Sequence, residues 1–344
     1  MPRARLASLD AGYEATVRAG LESVGFFSRV PAGGTVLLKP NLTFPVYRPG
    51  VMTSFECLRA VTTCLRDHGY EVIIAESDGG GYNRFSMDAV FEGLGIPALA
   101  AATGARMMNL TYTEPARLTV NVGWRQVTVR IPRLLLEGVD AFVSLPVPKI
   151  HMNTLVSLSI KNQWGCIQEP GDRLRLHPYF AEVMYQVNRR LPLAHAVIDG
   201  TYGLNRSGPL GGDPVRLDWI LVADDLVAAD RLACRLLRID VEDVAYLRHF
   251  RRRGWWCEES EIALEGRLED FQREPFYLVR EWTDMPGVAC FNNSALAWLG
   301  YHSPVAGLAH RMLYLFRKPF YDYDAERRKM GEREARPPDG RAGR

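Results

Sequence analysis

Short apolar runs of strand length recur along this chain, and each ends in a turn of Pro, Gly, Asn or charged residues. Residues 35–38, 71–75, 140–145, 194–199 and 218–224 are such runs. Between them lie segments with apolar residues at helical spacing: 13–27, 54–68, 88–94, 226–237 and 241–253. A strand that is apolar on both faces has to be covered on both sides, and helices fed in by short turns are the usual cover. The alternation therefore predicts an α/β fold, a largely parallel or mixed sheet with helices on both faces. Residues 105–110 and 117–130 add further strand material.

A chain of 344 residues exceeds the roughly 250–300 at which one core stops growing. Two lobes around a cleft are expected, at 1–145 and 146–275, followed by a helical extension at 276–325 and a charged, Pro/Gly-rich disordered tail at 326–344. With 47% hydrophobic and 24% charged residues, the body is globular, and no repeat of solenoid length is present. A net charge of +2 gives no reason to expect nucleic acid as a partner. Six cysteines without a C-x-x-C run indicate neither a zinc ribbon nor an iron–sulfur cluster and fit a reducing cytoplasm. No metal site is indicated by His spacing. The first residues lack the apolar core of a secretory signal. The apolar stretch 294–316 is interrupted by His302, Pro304, His310 and Arg311, so it is not a membrane span, and a core-packed helix pair is expected in preference to binding at a membrane surface.

Lysine is scarce: five lysines stand against 37 arginines. Where the composition would have supplied Arg, a Lys marks a place that needs a compact ammonium or an amine able to lose its proton. Three of the five fall in motifs. Lys39, Pro40 and Asn41 follow the apolar run 35–38, and Pro40 restricts the backbone at Lys39 and so fixes its direction. Glu76, Ser77, Asp78 and the glycines Gly79, Gly80 and Gly81 follow the run 71–75. Here Glu76 is placed to act as a base or to meet Lys39 across neighbouring strand tips, and the glycines allow a ligand close to backbone amides. The third motif, Lys149 and His151 followed by Ser157, Lys161 and Asn162, combines cations with a proton-transfer group. A helix over 154–164 would put Thr154, Ser157 and Lys161 on one face. Asp199, ending the run 194–199, is the expected counter-ion for Lys149 or Lys161, and Gly208, Gly211 and Gly212 are expected in a loop over the ligand.

Taken in order along 36–271, these motifs resemble the uncharacterised family known as domain of unknown function 362. The likeness rests on the stretches at 38–42, 74–77, 148–151, 159–162 with Gly165, 198–200, 208–209 and the region 230–254. The resemblance implies an α/β domain. Many members carry an appended ferredoxin-like iron–sulfur segment, whose cysteine run this chain lacks, and Ile150 stands where the family pattern leads one to expect Thr.

The residues lead to an enzyme acting on a small carboxylate or phosphoryl metabolite, of lyase, isomerase or group-transfer type, with specialised biosynthesis as the expected setting. Lys149, His151, Lys161, Glu76 and Asp199 are the expected catalytic groups. Lys39, Asn41, Ser77, Gly79, Gly80 and Asn162 are the expected substrate-binding groups. The alternative is a non-catalytic carrier for an anionic cofactor or metal complex, docking to a protein partner or a second copy through its hydrophobic C-terminal segment. The cofactor is not legible.

Overall fold

The computed structural model describes residues 1–79 and 85–315. Its strands are β1 (Arg3–Ser8), β2 (Thr35–Pro40), β3 (Glu71–Glu76), β4 (Arg106–Asn109), β5 (Pro115–Val122), β6 (Arg125–Pro132), β7 (Ala141–Leu145), β8 (Lys149–His151), β9 (Leu155–Ser157), β10 (Ala194–Asn205), β11 (Asp213–Ala223) and β12 (Ala263–Glu265). Ten of them form one mixed sheet in the order β12-β1-β11-β10-β7-β2-β3-β4, with β8 beside β10 and β9 beside β8; β5 and β6 form a separate hairpin. The segment from β10 to β4 is parallel, whereas β11 runs antiparallel to both β10 and β1.

Side chains alternate across the sheet, as strand geometry demands. Val36, Leu38, Val72 and Ile74 face the helices Tyr13–Ser23 and Phe55–Asp67, while Leu37, Ile73 and Phe142 pack on the opposite side. Further along that side, Ala196, Ile198 and Leu221 pack with residues of the helices Phe180–Asn188, Leu226–Leu236 and Ala245–Arg252. The mixed α/β architecture with helices on both faces thus follows from strands that are apolar on both sides. Strands from both sides of residue 145 share the one sheet, with β1 lying between β11 and β12.

Parallel strands deliver their C-terminal ends to one edge. The chain steps outward from β2 to β3 and β4, then returns to place β7 on the other side of β2. Such a change of direction leaves a crevice beyond the strand ends. Lys39, Glu76 and the loop after Leu145 all reach it.

Two local expectations fail. The segment 154–164 is not a helix: β8 turns back on β9, pairing Lys149 with Ser157 and His151 with Leu155, and only Ser159–Asn162 is α-helical. The apolar pattern that suggested a helix comes from a strand buried on both faces, which periodicity alone cannot distinguish. The stretch after 284 is also not core-packed. It forms short helices at Met285–Asn292, Ser294–Ala297 and Ala306–Tyr314, joined to the body by a cluster of Leu174, Phe291 and Tyr301. Helices this short have too little surface to bury all their apolar side chains, and several remain exposed. Gly80 and the tail 326–344 lie outside the described residues.

Candidate functional site

Lys39 ends β2 and Glu76 ends the adjacent β3. Their side chains meet at 2.5 Å, with Lys39 1% and Glu76 5% exposed. Lys39 also donates to the Pro40 carbonyl at 3.1 Å, and Glu76 accepts the amides of Ser77 at 2.9 Å and Leu42 at 3.4 Å. This buried pair is closed on itself. Gly165 lies so near that a Cβ there would stand 2.8 Å from Glu76 Oε1 and 2.9 Å from Lys39 Nζ. Only glycine admits the pair at that point.

Lys149, on β8, donates to Asn41 Oδ1 at 2.9 Å and to the Val51 carbonyl at 2.7 Å. Asn41 in turn donates to Asn162 Oδ1 at 3.2 Å, and Asn162 Nδ2 reaches the Lys39 carbonyl at 2.8 Å and Ser144 Oγ at 3.1 Å. Asn41 and Asn162 therefore act as ties between the first and third motifs. Lys161 differs. It is buried and lies 5.5 Å from the centre of the Phe180 ring, and among the described residues it makes neither a hydrogen bond nor an ion pair. Burial holds both lysines down to about 7. The charge of Arg173 adds to the effect on Lys161, and the charge of Lys161 to that on Lys149. Because the two are coupled, they titrate as a pair. The two acceptors on Lys149 favour charge there, and Lys161 has no such acceptor among the described residues.

His151 Nδ1 accepts the backbone amides of Asn153 at 3.1 Å and Thr154 at 3.4 Å. A nitrogen that accepts cannot carry the proton, so neutral His151 is protonated on Nε2. Burial and the positive charge of Lys161 hold its basicity far below the usual histidine range. His151 is therefore a fixed neutral hydrogen-bond donor. The expectation that it shuttles a proton is corrected in one respect: its basic edge is occupied by backbone.

Asp199 is not brought to the lysines. Its oxygens take the Ser54 amide at 2.7 Å, the Thr201 amide at 3.1 Å and the Thr201 hydroxyl at 2.5 Å, at the start of the helix Phe55–Asp67. The strand β10 continues to Asn205, which leaves Asp199 inside the sheet and not at its tip. As the expected counter-ion of Lys149 or Lys161 it is ruled out by these contacts.

Lys39, Asn41, Glu76, Ser77, Gly79, Lys149, His151, Lys161 and Asn162 all border a single cavity of about 120 Å³, with Pro209 and Leu210 also against it. The glycine loop thus contributes a wall, and its Gly208 carbonyl accepts the Met152 amide at 3.0 Å. Arg173, one arginine among many and marked by no motif, fixes the far side. It donates to the carbonyls of Ile167 and Asp78, each at 2.8 Å, and to Ser77 Oγ at 2.6 Å. Ser77 also donates to the Gly165 carbonyl.

Asp230 was missed as well. It accepts the Ser159 amide at 2.7 Å, the Tyr246 hydroxyl at 3.0 Å, the Ile160 amide at 3.3 Å and the Ser159 hydroxyl. It thereby holds the first turn of the helix carrying Lys161. Burial raises its carboxyl to about 7 despite these donors. A carboxylate inside the apolar run 226–237 was the available signal, since an unpaired acid is rarely left there. Asp230→Asn leaves one donor mismatched and is expected to lower unfolding free energy by about 1–2 kcal/mol. Urea unfolding checks this, and an unchanged midpoint would show that the acid is dispensable to the turn.

The family model for the domain of unknown function (DUF362) matches residues 36–235, which include every residue of this cluster. The chain belongs to this family. The chain is similar to the thylakoid-associated protein sll1697 of Synechocystis, 26% identical over 251 residues, covering 69% of this chain and 74% of that protein. Two solved structures are similar at 13% identity each. The lactate racemase apoprotein of Thermoanaerobacterium thermosaccharolyticum aligns with a TM-score of 0.42 over 69% of this chain, and a Thermotoga maritima protein with 0.38 over 65%. The DUF362 chain spans 56% and 58% of their respective lengths.

Proposed function

We propose that this DUF362 protein is an enzyme that binds a small carboxylate- or phosphoryl-bearing metabolite and moves a proton next to its anionic group, as a lyase or isomerase. The observation that carries this reading is the surplus of buried positive charge. Glu76 is consumed by Lys39, and among the described residues Lys149 and Lys161 have no carboxylate in ion-pair contact. Uncompensated ammonium groups in a closed space are costly, and an anion entering the cavity would relieve that cost. At about 120 Å³, against about 30 Å³ per water molecule in the liquid, the space suits an anion of several heavy atoms.

Each group then has a role set by its contacts. Lys149, anchored by two acceptors, holds the anion. Lys161, without a hydrogen-bond or ion-pair partner among the described residues and with its basicity lowered to about 7, takes the proton from the carbon beside the carboxylate. The charge that develops on oxygen is met by the Nε2–H of His151 and by Lys149, both fixed before reaction. Delivering that proton to a different carbon of the delocalised anion completes an isomerisation; loss of a group from the adjacent carbon completes an elimination. Glu76 and Arg173 position this apparatus without touching the reacting atoms.

The test is proton exchange in D2O, followed by NMR, with a panel of 2-hydroxy acids, 2-oxo acids and their phosphate esters. The wild type is expected to exchange the carbon-bound proton of at least one, with a rate that rises through about pH 7 as Lys161 is deprotonated. Anion binding, read as an increase in melting temperature, is expected to weaken over the same interval as the lysine pair loses charge. Lys161→Met should abolish exchange and Lys149→Met should abolish the melting shift. Binding that survives both substitutions would defeat the assignment, and binding without any exchange would favour a carrier.

A further inference from the structure

Among the described residues, the large apolar side chains left exposed gather beyond residue 276. In the helix Ala306–Tyr314 and its flanks, Val305, Leu308, Met312 and Leu315 are 54%, 63%, 59% and 78% exposed. Their spacing of three, four and three residues puts them on one stripe. Trp298 and Leu299, in the preceding turn, are 56% and 48% exposed. A monomer in water seldom leaves such a group uncovered.

The charge around this stripe is one-sided. From Met285 to Tyr321 the sequence has no Asp or Glu, although it carries Arg311, Arg317 and Lys318. Arg311 is exposed and sits between Leu308 and Leu315 in the helical repeat. An apolar stripe, an exposed tryptophan and basic charge within the segment itself are the features that seat a short helix in the headgroup layer of an anionic bilayer. No helix among the described residues is long and apolar enough to cross a membrane. The segment is also held to the body and not loosely appended: Phe291 stacks on His177 at 4.5 Å and on Tyr301 at 5.9 Å.

We infer that the C-terminal helices form a surface for docking on an anionic lipid bilayer, with Leu308, Met312 and Leu315 entering the interface and Arg311 meeting lipid phosphates. The inference stands apart from the proposed chemistry. It would nevertheless set the cavity near the bilayer, because Asn292 donates to Asn153 Oδ1 at 2.9 Å and Asn153 supplies an amide to His151.

Flotation of the full chain with vesicles tests this. One set is phosphatidylcholine alone and the other contains 30% phosphatidylglycerol, a composition of about one anionic lipid in three chosen to give a strong surface potential. Floating with the anionic vesicles only, weakened by high salt, is the expected result. Leu308→Ser with Met312→Ser should reduce the bound fraction at least tenfold. Arg311→Glu, which leaves the apolar stripe intact and so guards against misfolding as the cause, should reduce it several-fold. Failure to float, equal floating with both vesicle types, or floating unchanged by these substitutions would overturn the inference. So would a concentration-dependent dimer, seen by sedimentation and abolished by the same serine substitutions, without vesicle binding.

Discussion

Lys161→Met is expected to make the protein more stable, by about 1–4 kcal/mol at pH 6.5, while removing its chemistry. The reason is the cost of an ammonium that is 8% exposed and has no counter-charge among the described residues. Holding a lysine proton at about 7 when its ordinary value is 10.5 corresponds to a penalty on the order of 4 kcal/mol at neutral pH, at about 1.36 kcal/mol per unit. Methionine keeps the length and apolar stem of the side chain and removes the charge, a replacement that in buried ionic sites is often neutral or stabilising. The sign with pH follows from which state binds the proton more tightly. Between about pH 7 and 10.5 the unfolded chain keeps the Lys161 proton and the folded chain does not. The wild type therefore gains stability as pH rises across that window, and below about 7 it carries the full penalty. Melting curves at pH 6.5 and 9.5 should show the largest difference between variant and wild type at the lower pH. Equal melting at pH 6.5 would mean that water or a protein group already compensates the ammonium, and the anion site would lose its main support.

Glu76→Ala is expected to act in the opposite direction, with a loss of about 3–5 kcal/mol. The substitution leaves the Lys39 ammonium, 1% exposed, with the Pro40 carbonyl at 3.1 Å as its remaining hydrogen-bond partner among the described residues. It also releases the amides of Ser77 and Leu42. Because the cost comes chiefly from the stranded charge, Lys39→Met placed in the same chain should recover much of it, giving strong non-additivity between the two sites. Urea unfolding of the two single variants and the double variant measures the coupling. A Glu76→Ala loss below about 1 kcal/mol would show that solvent reaches Lys39 and that the pair does not brace the strand tips.

Much of this site was legible because the composition made it so. In a chain that uses Arg almost everywhere, Lys39, Lys149 and Lys161 stood out, and all three border one cavity. Pro40 and the polar turns identified the strand ends, and the meeting of Lys39 with Glu76 across neighbouring tips was among the readings of those motifs. Asp199 misled because the sequence ended its strand too early: the apolar run stops there, but the hydrogen-bonded ladder continues through polar and glycine residues to Asn205. The helix expected over 154–164 failed for a related reason, since an apolar strand buried on both faces has no period to separate it from a buried helix. Arg173 was one arginine among many and carried no local mark.

The sequence by itself determined the α/β class, the family and the set of residue types gathered at the strand ends, because strand and helix periodicity, breakers and unusual residues are local properties of the chain. The tertiary structure decided what each group can do. Whether a lysine is paired, as Lys39 is, or left without a partner among the described residues, as Lys161 is, depends on which strand lies beside it and which carboxylate has already been taken. Which nitrogen of His151 carries the proton depends on two backbone amides two and three residues away, aligned by the hairpin of β8 and β9. Burial and neighbouring charge set proton affinity through space, and only the folded chain fixes those distances.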